Sequence, residues 1–402
     1  MNQPIRVALF NDSFPPVMDG VANVVYSYAD ILTKNGYPSL VATPEHPAAQ
    51  DHYPFPVVRY PSLDTERLVG YRAGYPFSAQ AVRQLTDFTP DILHAHCPMS
   101  SLLLARTVRK STSAPLIFTY HTKYDVDIRS AVRSKRVQEQ LIRALVRNIS
   151  ACDEVWTVSR GAGENLRSLG YEGAWRVMEN GTDMPLGPAP LEDVRAVNAL
   201  YGLRSDAPVL LFAGRLRWYK GVRLILEGLS QARAQGFRFQ LLLAGDGADR
   251  KEMEALVQTL SLQEHCIFAG KIPDRRQLRA CYTRADLFLF PSVFDTNGLV
   301  VREAAAAGLP SLLIRGSCAA EGATDGVNAL LMEENAADLC RKVILACQSR
   351  EGLCRLGEHA RRDLYLSRET AVQRAQTRYH DLLCEKKESP PPQACDKAGA
   401  LR

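Results

Sequence analysis

The 402-residue chain has no apolar run approaching the roughly 18 to 20 residues that span a bilayer, so any membrane contact is expected to be peripheral. Its start, MNQPIRVALF, lacks the basic flank, apolar core and small-residue cleavage site of a secretory leader, which argues against secretion. Its ten cysteines form no C-x-x-C pair and no zinc-like spacing with histidine. A chain this long needs no disulfides, and reduced thiols in a cytoplasm are the simplest reading. Cys340, Cys347 and Cys354 recur every seven residues in a helical segment, where Cys packs as a small hydrophobe. Neither sign of charge is in large excess, and a formal net charge of +5 does not suggest nucleic acid. A complete dinucleotide fingerprint is missing too. FNDSFPP, after the first strand-like run, has no glycine pattern, and GDGADR places Arg250 where the third glycine belongs. That counts against a nicotinamide oxidoreductase.

What is present is a repeated alternation of strand and helix. Apolar, β-rich runs recur at IRVALF (5–10), SLVAT (39–43), DILHAH (91–96), PLIFTY (115–120) and EVWTVS (154–159). The series restarts at VLLFAG (209–214), QLLLAG (240–245), CIFAG (266–270), DLFLFP (286–291) and SLLI (311–314). Nearly continuous apolar strands are what a parallel sheet buried on both faces requires, so the expected class is α/β with two Rossmann-like, doubly wound domains and a cleft between them. The boundary is expected in GTDMPLGPAP, residues 181–190, where proline and glycine interrupt both periodicities. This gives domains at 1–185 and 186–365, a C-terminal helix at 366–386 able to pack back on the first, and a proline-rich tail at 387–402 expected to be disordered.

The second series carries the groups that suit a nucleoside diphosphate. In VLLFAGRLRWYKG a strand ends at Gly214 and a turn presents Arg215. Lys220 stands just before a helix, so two cations sit where a diphosphate can be held. In FDTNGLVVRE, Asp295 lies in a loop after a strand and Glu303 about one turn into the next helix. Each carboxylate can accept from two neighbouring hydroxyls, as a ribose diol or a sugar offers. The backbone N–H groups of Asn297, Gly298 and Leu299 can point at phosphate between them. In the first series Gly20 opens a helix after the first strand, where backbone N–H groups can face phosphate or an acceptor. His121 follows PLIFTY at the strand edge where ligands of doubly wound folds bind. His94 and His96 are expected to support that edge rather than bind metal.

Together GRLRWYKG, the FPS before Asp295 and the EAAAAGLP from Glu303 onward resemble family 4 of the retaining glycosyltransferases, which have the GT-B fold. FNDSFPPVMDGVANV, VSRGAGENL, ENGTD and AAEGATDGVNALL extend the resemblance from Ile5 to about Leu383. It implies a sugar nucleotide between the domains, with Arg215 and Lys220 on its diphosphate and Glu303 on its ribose. By the same resemblance Asp295 contacts the transferred hexose, backbone around Gly270 to Ile272 approaches the base, and His121 lies near the sugar's 6-hydroxyl. No metal or other cofactor is implied. The chain departs from the family pattern at Asp295, where Glu is usual, at Asn297, where an aromatic residue is common, and at Asp19-Gly20, where Gly-Gly is common. Asp-Thr forms occur among relatives that glucosylate diacylglycerol, which favours UDP-glucose and such a lipid. A soluble or polysaccharide acceptor, or GDP-mannose as donor, is the alternative, and a catalytically inactive sugar-nucleotide binder the second.

Residues 104–149 hold ten Lys or Arg against three acids. On a continuous helix Arg129, Arg133, Arg136, Arg143 and Arg147 would share one arc of roughly 80°, opposite Val137, Leu141, Leu145 and Ile149. Such a stripe suits anionic lipid headgroups, with the enzyme peripheral on the inner face of the cell membrane. Nucleic acid is not expected as a partner, because no interleaved aromatics accompany the stripe.

Overall fold

The computed structural model describes residues 4–65 and 72–388. Among these residues the chain builds two parallel sheets. The first runs in the order β3-β2-β1-β6-β7-β8-β9. Its strands are β1 (Val7–Phe10), β2 (Ser39–Pro44), β3 (Val57–Tyr60), β6 (Ile92–Ala95), β7 (Leu116–Tyr120), β8 (Glu154–Thr157) and β9 (Arg176–Val177). β4 (Ser62–Leu63) and β5 (Ala73–Gly74) form a small antiparallel pair outside it. The second sheet runs β12-β11-β10-β13-β14-β15. It is made of β10 (Val209–Ala213), β11 (Gln240–Ala244), β12 (Cys266–Gly270), β13 (Leu287–Phe290), β14 (Ser311–Ile314) and β15 (Leu330–Met332). Every residue of β1, β10 and β13 is buried, as the uninterrupted apolar runs require. The expected pair of Rossmann-like sheets facing across a cleft is the fold observed.

Strand order places the site. In the first sheet the chain leaves β1 toward β2 and β3, then returns to build β6, β7 and β8 on the other side. The second sheet repeats this around β10 and β13. Ligands of open α/β sheets bind outside the carboxyl ends of the strands at such reversals. The loops there are the one before Gly20, the one carrying Arg215 and Lys220, and the one carrying Asp295.

The helix Arg368–Glu388 returns to the first sheet, burying Val372, Ala375 and Tyr379 in the cluster that holds Val7, Leu9 and Trp156. Tyr379 stacks on Trp156 with ring centroids 5.6 Å apart, and Arg378 pairs with Glu154. The tail from residue 389 lies outside the described residues.

Two features differ from the sequence reading. The basic segment is not one helix: Val132 is extended at the end of Tyr124–Ala131, and a second helix starts at Lys135. Arg129 and Arg133 therefore do not share a helical arc with Arg136, Arg143 and Arg147. Of the apolar residues expected opposite the stripe, Leu145 and Ile149 are buried, whereas Val137 and Leu141 are exposed. The cysteine heptad likewise spans two helices, Ala336–Cys347 and Arg350–Asp363, with Cys340 buried and Cys354 exposed.

Candidate active site

The loop after β10 is held from beneath by the loop after β11. Leu216 N–H donates to the Asp246 carbonyl at 3.0 Å, and Trp218 N–H to the Asp249 carboxylate at 2.8 Å. Gly245 has φ +150°, and a methyl group there would overlap the Gly214 carbonyl oxygen. The glycines of GDG thus serve loop-to-loop packing, which is why their pattern is not that of a phosphate loop. On this platform Arg215 is exposed and Lys220 closes a short turn before the helix Val222–Ala234.

Lys220 Nζ pairs with Asp295 Oδ1, both side chains being mostly buried. Asp295 Oδ2 is buried with no hydrogen-bond partner, as are Ser292 Oγ and Asn297 Oδ1 in the same loop. Gly298 takes the left-handed conformation, φ +61°, that starts the helix Leu299–Ala307 with no side-chain cap on its first amides. Glu303 lies a turn further on. Its Oε1 accepts from Arg275 at 2.8 Å, and its Oε2 from the buried Tyr282 hydroxyl at 2.9 Å. Burial and the neighbouring Glu303 both push that phenol upward in pKa. Across the cleft partial desolvation raises the Asp127 carboxyl, an effect offset in part by the charge of Arg215. Gly270 ends β12 at the rim with φ +71°, and Ile272 beside it packs against the second core.

The first sheet contributes a buried histidine group. His121 Nε2 lies 2.9 Å from His96 Nδ1, and its Nδ1 lies 3.3 Å from Asn180 Nδ2. His94 bonds Tyr379 and Thr119 through its two nitrogens. Burial pushes His94 and His96 well below the usual imidazole value and His121 down to about 3. With both ring nitrogens turned inward, His121 presents its backbone carbonyl to the opposite domain, where it accepts from the Thr296 hydroxyl. Gly20 starts its helix, but Asp19 caps it: Asp19 Oδ1 accepts from the Val21 and Ala22 amides at 2.8 Å each. Those amides are therefore occupied by this chain's own carboxylate.

Further bonds cross the cleft. Asn297 Nδ2 donates to the Val158 carbonyl at 2.6 Å, and Lys123 Nζ to the Val293 carbonyl at 3.0 Å. Glu321 accepts from the Arg160 and Gly161 amides at 2.7 and 2.6 Å. The structure thus brings Arg215, Lys220, Asp295, Asn297, Gly298, Leu299 and Glu303 to one edge of the second sheet, with His121 opposite. The five arginines of the basic segment lie elsewhere, on the surface of the first domain. Sequence reading missed Arg275, Tyr282 and Glu321. Glu321 lies inside AAEGATDGVNALL but has no role assigned by that motif, whereas Arg275 and Tyr282 stand in no motif that marks their chemistry, although Arg275 follows Asp274, a recognisable helix cap.

A glycosyltransferase family 4 model matches residues 18–184, and a model of group 1 glycosyl transferases matches residues 197–363. The chain is a glycosyltransferase with the GT-B fold. It is 24% identical over 311 residues to an alpha-monoglucosyldiacylglycerol synthase of Streptococcus pneumoniae, covering 76% of this chain and 70% of that protein. It is 27% identical over 341 residues to a GDP-mannose-dependent alpha-mannosyltransferase of Corynebacterium glutamicum, covering 82% and 77%. Among solved structures, Anabaena HepE in complex with UDP superposes with a TM-score of 0.73 at 19% identity, covering 96% of this glycosyltransferase and all of HepE. The glycosyltransferase uses a nucleotide-sugar donor and a separate acceptor. Among its described residues no helix is long and apolar enough to cross a membrane.

Proposed function

We propose that this glycosyltransferase moves a hexose from UDP-glucose or GDP-mannose to a hydroxyl group of a soluble or polysaccharide acceptor. The observation that carries the hexose reading is the Asp295 carboxylate. One oxygen is held by Lys220, and the other is buried without a partner in a loop with two more unmet polar atoms. A buried acceptor of this kind is costly unless a ligand supplies donors, and sugar hydroxyls are suitable donors. Glu303 then takes the ribose diol, the Asn297–Leu299 amides and Arg215 take the diphosphate, and Gly270 and Ile272 border the base. His121 meets the sugar through its carbonyl oxygen. The relatives differ in donor and product, so their breadth supports the wider acceptor class and gives diacylglycerol no priority.

In the transfer, the bond between the anomeric carbon and the diphosphate oxygen breaks as the acceptor oxygen bonds to that carbon. The acceptor's proton passes to the departing phosphate oxygen. Lys220 and Arg215 oppose the charge that grows on the leaving group, and such preorganised charge acts mainly in the transition state. Family resemblance supports retention by this front-face route, which needs no protein nucleophile.

One observation favours a lipid acceptor as a second reading. On the helices Tyr124–Ala131 and Lys135–Ile149, Val126, Val137 and Leu141 are 37%, 41% and 43% exposed. They stand among Arg129, Arg133, Arg136, Arg143 and Arg147, all exposed. Exposed apolar and cationic groups on the same pair of helices suit an anionic bilayer. The deciding experiment measures donor hydrolysis over a panel of sugar nucleotides, then transfer to soluble saccharides and to diacylglycerol in vesicles. Hydrolysis of none of the donors would remove the proposal, and transfer to diacylglycerol alone would promote the second reading.

A further inference from the structure

The segment Glu179–Asp183 crosses between the two sheets, and its acidic ends each sit between two cations from different parts of the fold. Asp183 pairs with Arg275 of the donor domain on one side and with Arg368, the first residue of the returning helix, at 3.5 Å on the other. Glu179 pairs with Arg302 of the donor helix and, at 3.3 Å, with Arg374 of the returning helix. Between them Asn180 touches His121, and Gly181 lies so close to a second crossing, residues 364–367 leading into the returning helix, that a methyl group there would overlap the Ser367 carbonyl. Thr182 N–H donates to the Leu366 carbonyl at 2.8 Å and its carbonyl accepts from Arg368 N–H at 3.0 Å, so the two crossings are zipped together.

This segment reaches the Glu303 subsite through one shared side chain, and a second arginine ties it to the same helix. Arg275 Nη2, which holds Asp183, also donates to Glu303 Oε1 at 2.8 Å. Arg302, which holds Glu179, is the neighbour of Glu303 on the same helix and donates to the Leu364 carbonyl in the second crossing at 3.0 Å. A cavity of about 100 Å³ beside these pairs is lined in part by Glu179, Asn297, Gly298, Arg302 and Arg374.

We propose that Glu179 and Asp183 are positioning residues that transmit occupancy of the Glu303 subsite to the relative placement of the two domains. This rests on the nucleotide-sugar reading above. Ribose hydroxyls arriving at Glu303 compete with Arg275 for its oxygen, and the guanidinium then settles further onto Asp183. A ligand shifts a conformational equilibrium only through contacts that differ between its states, and this shared nitrogen is such a contact. The polar partners of the crossing acids are Arg275, Arg302, Arg368 and Arg374 rather than Lys220 or Asp295, so the role assigned to them is in closure.

The test uses the full chain with Asp183→Asn and Glu179→Gln, isosteric changes that keep hydrogen bonding and remove charge. UDP and GDP binding is followed by calorimetry, domain separation by energy transfer between labels on the two domains, and turnover with the donor that wild type accepts. The expected result is kcat lowered at least about fivefold with KM changed by less than that, together with a weakened nucleotide-dependent change in energy transfer. Variants that retain wild-type turnover and the full response would overturn the coupling. So would variants that lose nucleotide affinity as severely as Glu303→Ala, because the acids would then belong to the binding site. Wild type that binds neither nucleotide would remove the donor reading itself, and the coupling with it.

Discussion

Lys220 and Asp295 form a mostly buried ion pair in which one carboxylate oxygen is engaged and the other has no partner. The pair joins the loop after β10 to the loop after β13 at the point where strand order reverses. On the proposed reading Lys220→Ala removes a cation from the leaving group, and it strands a mostly buried carboxylate. A loss of about 3 kcal/mol in transition-state stabilisation, roughly a hundredfold in kcat/KM, is expected. Folding is checked by circular dichroism. Near-normal turnover in a folded variant would show that the diphosphate charge is met elsewhere.

Glu303 and Asp295 are expected to divide the donor between them. Glu303→Ala should weaken binding of bare UDP, whereas Asp295→Ala should leave bare UDP nearly unaffected and impair the intact sugar nucleotide. Tyr282→Phe removes a charge-assisted hydrogen bond to the Glu303 carboxylate and should weaken nucleotide binding by roughly 1.5 to 3 kcal/mol. Calorimetry with both ligands decides the matter. Equal losses for UDP and UDP-glucose in both acid variants would contradict this division.

Stability should fall as pH drops from about 7 toward 5. Burial holds His94, His96 and His121 below the ordinary imidazole value near 6.5, so the unfolded chain binds protons in this range that the folded chain refuses. Their contribution is complete above the unfolded value and is lost as pH falls from there toward the folded values. Each histidine contributes a slope of roughly 1.4 kcal/mol per pH unit between its two values. Salt-bridged carboxylates such as Asp325 and Asp338, whose pKa values are lowered, act only at more acidic pH. A melting temperature that stays level from pH 7 to pH 5 would exclude the histidine group as the sensor.

Removing the cap on the first long helix should destabilise the protein without touching the donor site. Asp19 accepts from the Val21 and Ala22 amides and from the Ser13 hydroxyl. Asp19→Ala should therefore cost about 1 kcal/mol, measured by urea unfolding, with nucleotide affinity unchanged.

The basic face distinguishes the two acceptor readings. If the lipid reading holds, the protein co-sediments with anionic but not neutral vesicles and is released as the Debye length shrinks from about 10 Å at 0.1 M salt to about 3 Å at 1 M. Replacing Arg136 and Arg143 by Glu should abolish the binding, since each cation near the surface adds about 1 kcal/mol. No binding at low salt, with full transfer to a soluble acceptor, would leave this face as a solvated surface.

The sheets were legible because strands buried on both faces must be apolar throughout, and runs such as VLLFA and DLFLF carry that requirement in their own residues. Short edge strands were not. β9 is two exposed residues whose pairing comes from its neighbour rather than its composition. The loops carrying Lys220, Asp295 and Gly298 could be read from residue type and order, since a cation, an acid and a left-handed glycine between strand and helix are local signals. Arg275 and Tyr282 carry no such signal, and Glu321, although inside AAEGATDGVNALL, meets the Arg160 and Gly161 amides only across the cleft.

By itself the sequence determined the α/β class, the two strand series and the residue types along the cleft edge of the second sheet, because burial, helix starts and backbone conformation act over a few neighbouring residues. Only the tertiary structure decided that His121 turns its ring toward His96 and Asn180, that Asp19 fills its own helix terminus, and that the basic segment breaks into two helices with exposed Val137 and Leu141. It alone brought Glu303, Arg275 and Asp183 into one chain of contacts. These outcomes depend on partners up to 92 positions away, and no local propensity records which of several available partners a polar side chain will meet once the sheets have closed.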